Sequence, residues 1–214
     1  MARRFVGLST IDPGTLPVPC GGCMFWQSIP ALPHECCSAD DAEAAAEWMR
    51  GVLAEWGECG RAAVADGEVL GFIRYAPPRY FPQAQHMAAG PPDPEVVLIA
   101  CMHIAPEARR RGLGGLLLRE AMRDLAARGE RAVQAYATAD RADFERVPMM
   151  GVDFLLRNGF TVSRPHPAVP LLRVDLKTLV SWSDNLEALL DALRIPLAAP
   201  RRAPATLSAP GGDR

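Results

Sequence analysis

The apolar positions of this chain fall into short runs whose spacing switches repeatedly between two and three-to-four residues, the mark of strands interleaved with helices. A first short strand is predicted over 3–8. After a stretch dense in Pro, Gly and Cys, Ser38 reads as the N-cap of a helix through "ADDAEAAAEWMRGVLAEW", whose acidic first turn suits the helix dipole. Residues 61–76 are two apolar runs around Asp66-Gly67 and predict a β-hairpin. The proline-rich stretch 77–94 reads as a long loop of the kind that borders a site. "EVVLIACMHI" (95–104) is a nearly continuous apolar strand, hence one covered on both faces.

Helical spacing of Leu113, Leu116, Leu117, Ala121 and Leu125 predicts a helix from Gly112 to Arg128, ended by Gly129. "RAVQAYAT" is a further strand, and "PMMGVDFLLRN" (148–158) a short helix with Pro148 in its first turn and Gly159 as its stop. "FTVSR" and "LLRVDL" read as a final strand pair around "PHPAVP". "SDNLEALLDALR" (183–194) is a last amphipathic helix, and the Pro/Ala/Gly-rich remainder is expected to lack regular structure.

Composition narrows what such a protein does. With 214 residues and 49% apolar content, a single core-bearing globular domain is expected. A net charge of −2 argues against nucleic acid as the main partner. The N-terminus carries no signal-like apolar stretch and no run approaches a membrane span, so the expected address is the cytoplasm. There the six cysteines are expected to be thiols or metal ligands in preference to disulfides.

One stretch concentrates the candidate chemistry. "APEARRRGLGGLLLREAM" (105–122) places Arg109, Arg110 and Arg111 and then Gly112, Gly114 and Gly115 where a helix begins behind a buried strand. The first N–H groups of a helix have no intrahelical partner and sit at its positive end, which makes them an anion site. Glycines there let a phosphate reach the backbone, whereas each costs a helix up to about 1 kcal/mol relative to alanine. A solvated arginine turn would explain the charge but not the glycines. A P-loop needs Gly-Lys-Ser/Thr and the dinucleotide fingerprint needs a glycine where Leu117 stands, so neither applies.

Arg109-Arg110-Arg111-Gly112-Leu113-Gly114, led in by "HIAPEA", resembles the Arg/Gln-x-x-Gly-x-Gly/Ala signature of the GNAT superfamily of N-acetyltransferases. The order of elements from about Arg61 to Lys177 is similar as well. The resemblance implies an α/β fold with a mixed, mostly antiparallel sheet split centrally at the cofactor, and helices on both faces. It implies acetyl-CoA as co-substrate and an amine as acceptor, attacked directly. Met102, His103, Ile104, Arg109, Arg110, Arg111, Gly112, Leu113, Gly114 and Gly115 would bind the cofactor, with a backbone N–H of Met102–Ile104 as oxyanion donor. A homodimer is compatible with the family. A second reading keeps the fold and the acyl-CoA site but makes the protein a non-catalytic binding or interaction module.

The acid and base of many relatives are absent. The position of the strand carboxylate is Leu98, that of the tyrosine acid is Leu155, and that of an accompanying asparagine is Pro148. His103 is the substitute base, since an imidazole near pKa 6.5 can take an amine proton directly or through water. Tyr136 and Asp153 are weaker candidates, and Glu95 begins the strand. Cys101, a thiol in an apolar strand, reads as packing.

The cysteines raise a separate question. Cys20, Cys23, His34, Cys36 and Cys37 offer a zinc set, but the adjacent second pair is irregular and packing under Phe25 and Trp26 is favoured. A redox Cys-x-x-Cys normally follows a strand and opens a helix, unlike this proline-flanked one. The Cys-x-x-Cys-x-Phe-Trp segment, with "PHP" and Ser-Trp further on, resembles a bacterial branch of the same superfamily. The organisation expected is a Cys/Pro-rich segment at 1–37 packed on the core, an acyl-CoA-binding core at 38–177, a C-terminal helix at 178–195 and a tail at 196–214.

Overall fold

The computed structural model describes residues 3–17, 20–29, 42–139 and 148–177. Ser38, the helix expected near the C-terminus, the tail, and His34, Cys36 and Cys37 therefore lie outside the described residues. The described strands are β1 (Arg4–Gly7), β2 (Gly60–Ala65), β3 (Glu68–Ala76), β4 (Val97–Ile104), β5 (Ala132–Thr138), β6 (Met150–Gly151), β7 (Thr161–Arg164) and β8 (Leu171–Asp175). The helices are α1 (Ala42–Trp56), α2 (Leu113–Ala127) and α3 (Val152–Arg157). The sheet runs β1-β2-β3-β4-β5-β8-β7, with β6 on β5. Every pairing is antiparallel except β4 with β5 and β5 with β6.

The hairpin forms where Asp66 and Gly67 both take positive φ, 52° and 87°, as a two-residue hairpin turn requires. Apolar residues on both faces of β2–β5 then demand cover on both sides. One face packs Ile73, Tyr75, Val97, Ile99, Val133 and Ala135 under Leu113, Leu117 and Leu118 of α2. The other packs Phe72, Leu98, Ala100 and Tyr136 under Met49 and Val52 of α1 and under Leu8, Leu16 and Trp26 of the N-terminal segment. Tyr75 ties α2 to the sheet through its hydroxyl, 2.6 Å from an Asp124 carboxylate oxygen.

Two expectations are corrected. Residues 148–158 do not form one helix from Pro148: Met150–Gly151 pair with Ala137–Thr138 of β5 as a strand, and the helix starts at Val152. The edge of β5 that β4 vacates offers Met150 backbone partners that a helical turn would forgo. Glu95 precedes β4, which begins at Val97, and it is exposed. The loop 77–94 contains two short 3-10 turns and lies pinned across the α1 face. Trp48 Nε1 donates to Tyr80 O at 2.9 Å, and Asp93 N to Gln134 Oε1 at 2.9 Å.

Candidate functional site

β4 and β5 are partners only at Val97–Val133 and Leu98–Gln134; beyond these two pairs the parallel ladder ends. From there β5 turns its edge to β6, while β4 continues to Ile104 with no partner strand on that side among the described residues. The sheet thus opens into a cleft at the carboxyl ends of its two central strands.

A β-bulge decides which groups of β4 look into the cleft. Arg74 of β3 pairs with Cys101 and Tyr75 with Ile99, so Ala100 is an extra residue. Alternation resumes beyond it. Ala105 N donates to Leu70 O at 2.9 Å, which fixes Ala105, His103 and Cys101 as the residues bonded to β3. Met102 and Ile104 therefore turn their N–H and C=O groups to the cleft. Ile104 shows this directly, since its carbonyl accepts from Arg109 Nε at 2.9 Å. The backbone of His103 faces β3, so only its side chain is on offer to the site.

The other wall is the start of α2. Gly112 is its N-cap in a left-handed conformation, φ 78°, and a Cβ there would meet nothing within 4 Å. Leu116 N to Gly112 O, 3.2 Å, closes the first turn, so the N–H groups of Leu113, Gly114 and Gly115 precede any intrahelical bond. Arg109, Arg110 and Arg111 are exposed around them, and Arg110 also has positive φ, 58°. The positive charge, the bare backbone and the helix end meet at one place, an arrangement suited to a phosphate. Gly114 differs from Gly112: a Cβ there would lie 3.6 Å from Phe154 of α3 and 3.7 Å from Met102. Its missing side chain is room between α2, α3 and β4, not open solvent.

His103 is 8% exposed and stacks on Phe72, ring centroids 5.7 Å apart. Burial lowers its pKa below 6.5, and Arg109 lowers it further against the opposing pull of Glu107. The imidazole is thus neutral at neutral pH, the form in which it can accept a proton. Tyr136 is fully buried, stacks on Trp26, and donates its hydroxyl toward Gly90 O at 2.6 Å and Ala84 O at 3.1 Å. Burial raises its pKa strongly. Its proton is engaged by loop carbonyls. Asp153 is exposed in the first turn of α3. Leu98 and Leu155 are both fully buried in the two cores, and Pro148 offers its carbonyl to Trp26 Nε1 at 3.4 Å. Cys101 is buried and its thiol is pushed up to about 12.

The structure adds two residues that the sequence reading passed over. Phe154 of α3 lies against the Gly114 position of α2, and Arg74 is 2% exposed beneath the α1 face. A charged residue inside the apolar run "GFIRYA" was the available signal for Arg74. Among the described residues, no group of three His, Cys, Asp or Glu side chains is placed to hold a metal ion. No helix among them is long and apolar enough to cross a membrane.

Residues 25–146, more than half of the chain, match the model of the acetyltransferase (GNAT) family. Among solved structures, the PaiA N-acetyltransferase of Thermoplasma acidophilum, in complex with coenzyme A, is 16% identical with a TM-score of 0.54, over 82% of this chain and 99% of its own. An N-acetyltransferase of Staphylococcus aureus Mu50 is 12% identical with a TM-score of 0.54, over 82% and 99%. At such identities the likeness is one of fold. No curated protein sequence matches the chain.

Proposed function

The chain belongs to the acetyltransferase (GNAT) family, and from that premise we propose that it is an N-acyltransferase carrying an acetyl group from acetyl-CoA to an amine by direct attack. The observation that carries the reading is the cleft between β4 and β5, where the inward N–H groups of Met102 and Ile104 adjoin the open start of α2. The pyrophosphate of CoA fits the N–H groups of Leu113, Gly114 and Gly115, with Arg109, Arg110 and Arg111 balancing its charge. The thioester then falls beside β4, where the Met102 or Ile104 N–H stabilises the oxygen that gains negative charge.

A neutral amine forms the new C–N bond as the C–S bond breaks, and CoA leaves as a thiolate that finally takes up the proton the amine releases. On this reading the amine proton passes first to His103, directly or through water, because burial and then Arg109 keep that imidazole neutral. Tyr136 and Asp153 remain weaker proton carriers on this reading. On this reading the acceptor amine approaches from the face covered by α1 and the N-terminal loops. The enzyme works in the cytoplasm on this account, and its Cys-x-x-Cys-x-Phe-Trp segment supports placing it with the bacterial branch that shares that feature.

Leu98 and Leu155 favour a second reading, since neither can move a proton and both are core residues: an acyl-CoA-binding protein without turnover. Calorimetry with CoA, followed by release of CoA thiol from acetyl-CoA over a panel of amines, separates the two. Binding with turnover on some amine supports the enzyme. Binding with none supports the second reading, and absence of binding overturns both.

A further inference from the structure

The Cys-x-x-Cys segment is not used by the acyl-transfer reading, yet it is built into the same face as His103. Cys20–Gly22 form a 3-10 turn closed by Cys23 N to Cys20 O at 3.4 Å. Such a turn holds its first and fourth Cα atoms within about 7 Å, inside the reach of a disulfide. Gly21 is required here by space. A Cβ would stand 2.6 Å from Leu16 O, so the chain passes too close for any side chain. Cys20 is half-exposed and Cys23 is buried, and both are thiols.

Arg74 fixes the turn to the sheet. Its guanidinium donates to Gly21 O at 2.8 Å and lies against Trp48 and Phe72, 5.8 and 5.3 Å from their ring centroids. Its Nε is buried without a hydrogen-bond partner, and no carboxylate among the described residues pairs with it. A buried guanidinium stays charged, so it favours negative charge on whatever lies beside it. Burial, and then Cys23, raise the pKa of the Cys20 thiol, and Arg74 and Arg109 oppose that rise; burial likewise raises Cys101 of β4 against the pull of Arg74.

We infer that Cys20 and Cys23 are a reversible dithiol–disulfide site, held in its closing geometry by Arg74 through Gly21 and oxidised by low-molecular-weight disulfides. The Cys20 thiolate attacks the oxidant disulfide, forming a mixed disulfide and releasing one thiol. The Cys23 thiolate then attacks the Cys20 sulfur, forming the Cys20–Cys23 bond and releasing the second thiol. Two electrons pass from the protein pair to the oxidant, and the two protein protons end on the released thiols. Burial keeps Cys20 mostly protonated at neutral pH, with a pKa pushed up to about 11, so the dithiol is the resting form and exchange accelerates as pH rises.

The test treats the full-length reduced protein with excess oxidised glutathione, quenches by alkylation, and maps it by mass spectrometry. Chain cleavage after Phe25 separates this pair from Cys36 and Cys37. The expected result is a peptide ending at Phe25 that is two mass units lighter than its dithiol form and restored by reductant. Cys23→Ser should stop at one glutathione on Cys20, and Cys20→Ser should leave Cys23 reduced, because Cys20 is the accessible thiol. Resistance of the wild-type pair to oxidation would overturn the site. So would a bond from either residue to Cys36, Cys37, Cys59 or Cys101, or stoichiometric zinc that protects the pair.

Discussion

Leu98 of β4 stands opposite Gln134 of β5, and theirs is the last pair before the two central strands separate. On β3 the partner of Leu98 is Ala76, and the bulge that re-aims β4 follows at Ala100. Pairing, separation and bulge thus fall within three residues. That sequence turns Met102 and Ile104 toward the cleft and sends His103 to the α1 face.

Gly112 carries the first prediction. At φ 78° an L-residue is strained by roughly 1–2 kcal/mol, although there is space for its Cβ. Gly112→Val, whose β-branch suits the left-handed region least, should therefore lower the melting temperature by several degrees or more. It should cost CoA at least about tenfold in affinity by placing a branched side chain over the helix start. Gly114→Ala should fold normally, since its Cβ makes ordinary contacts with Phe154 and Met102. A folded Gly112→Val that binds CoA in calorimetry as the wild type does would remove the pyrophosphate from this helix end.

The arginines make the second. Arg111→Ala should weaken CoA binding by about 1–3 kcal/mol, as the loss of a charge-assisted contact does, and the deficit should shrink in salt. Arg109→Ala should cost more, because Arg109 also holds the Ile104 carbonyl and so the course of β4 into α2. Titrations at low and high ionic strength check both. A salt-independent loss in Arg111→Ala would point to structural damage in place of lost charge.

How much of this was legible in the chain differs by kind of feature. The hairpin, β4, α2 and its glycine N-cap follow from apolar spacing, a two-residue turn signal and glycines at a helix start, all of them local. β6 was not legible, because Met150–Gly151 becomes a strand only through the edge that β4 vacates, a contact between distant parts of the chain. The face taken by His103 was hidden for a similar reason. The bulge at Ala100 shifts the parity of every later residue, and nothing in "LIACMHI" distinguishes a bulged strand from a regular one. Arg74 was visible as an anomaly, but its anchoring role depends on Gly21, 53 residues earlier.

Tyr136 supplies the third prediction. Its hydroxyl serves the carbonyls of Gly90 and Ala84, so Tyr136→Phe leaves two loop acceptors poorly satisfied in a buried place. The cost should be about 1–3 kcal/mol of folding stability, read from denaturant titration. Transfer rate per folded molecule should stay within a few-fold of wild type. A rate loss of a hundredfold or more with stability unchanged would instead make Tyr136 a proton carrier.

His103 joins catalysis and stability in one measurement. Its folded pKa lies below 6.5 because burial, aided by Arg109, disfavours the imidazolium. Below pH 6.5 the unfolded chain therefore binds a proton that the folded chain resists, and folding stability falls as pH drops until the folded pKa is passed. Above pH 6.5 this penalty is absent. In His103→Gln the acid-side loss should be smaller than in the wild type, as denaturant titrations at pH 5 and 7.5 would reveal. The same neutral imidazole can accept the amine proton at neutral pH. Transfer should then rise with pH as the amine deprotonates, and neither Leu155 nor Leu98 can add a titrating limb of its own. Removing the imidazole should slow transfer by about ten- to a thousand-fold, the range of a general base, with CoA affinity unchanged. If His103→Gln keeps the wild-type rate at every pH while its acid stability improves, the histidine is a packing residue on Phe72. Catalysis would then rest on positioning and on the cleft-facing N–H groups of Met102 and Ile104.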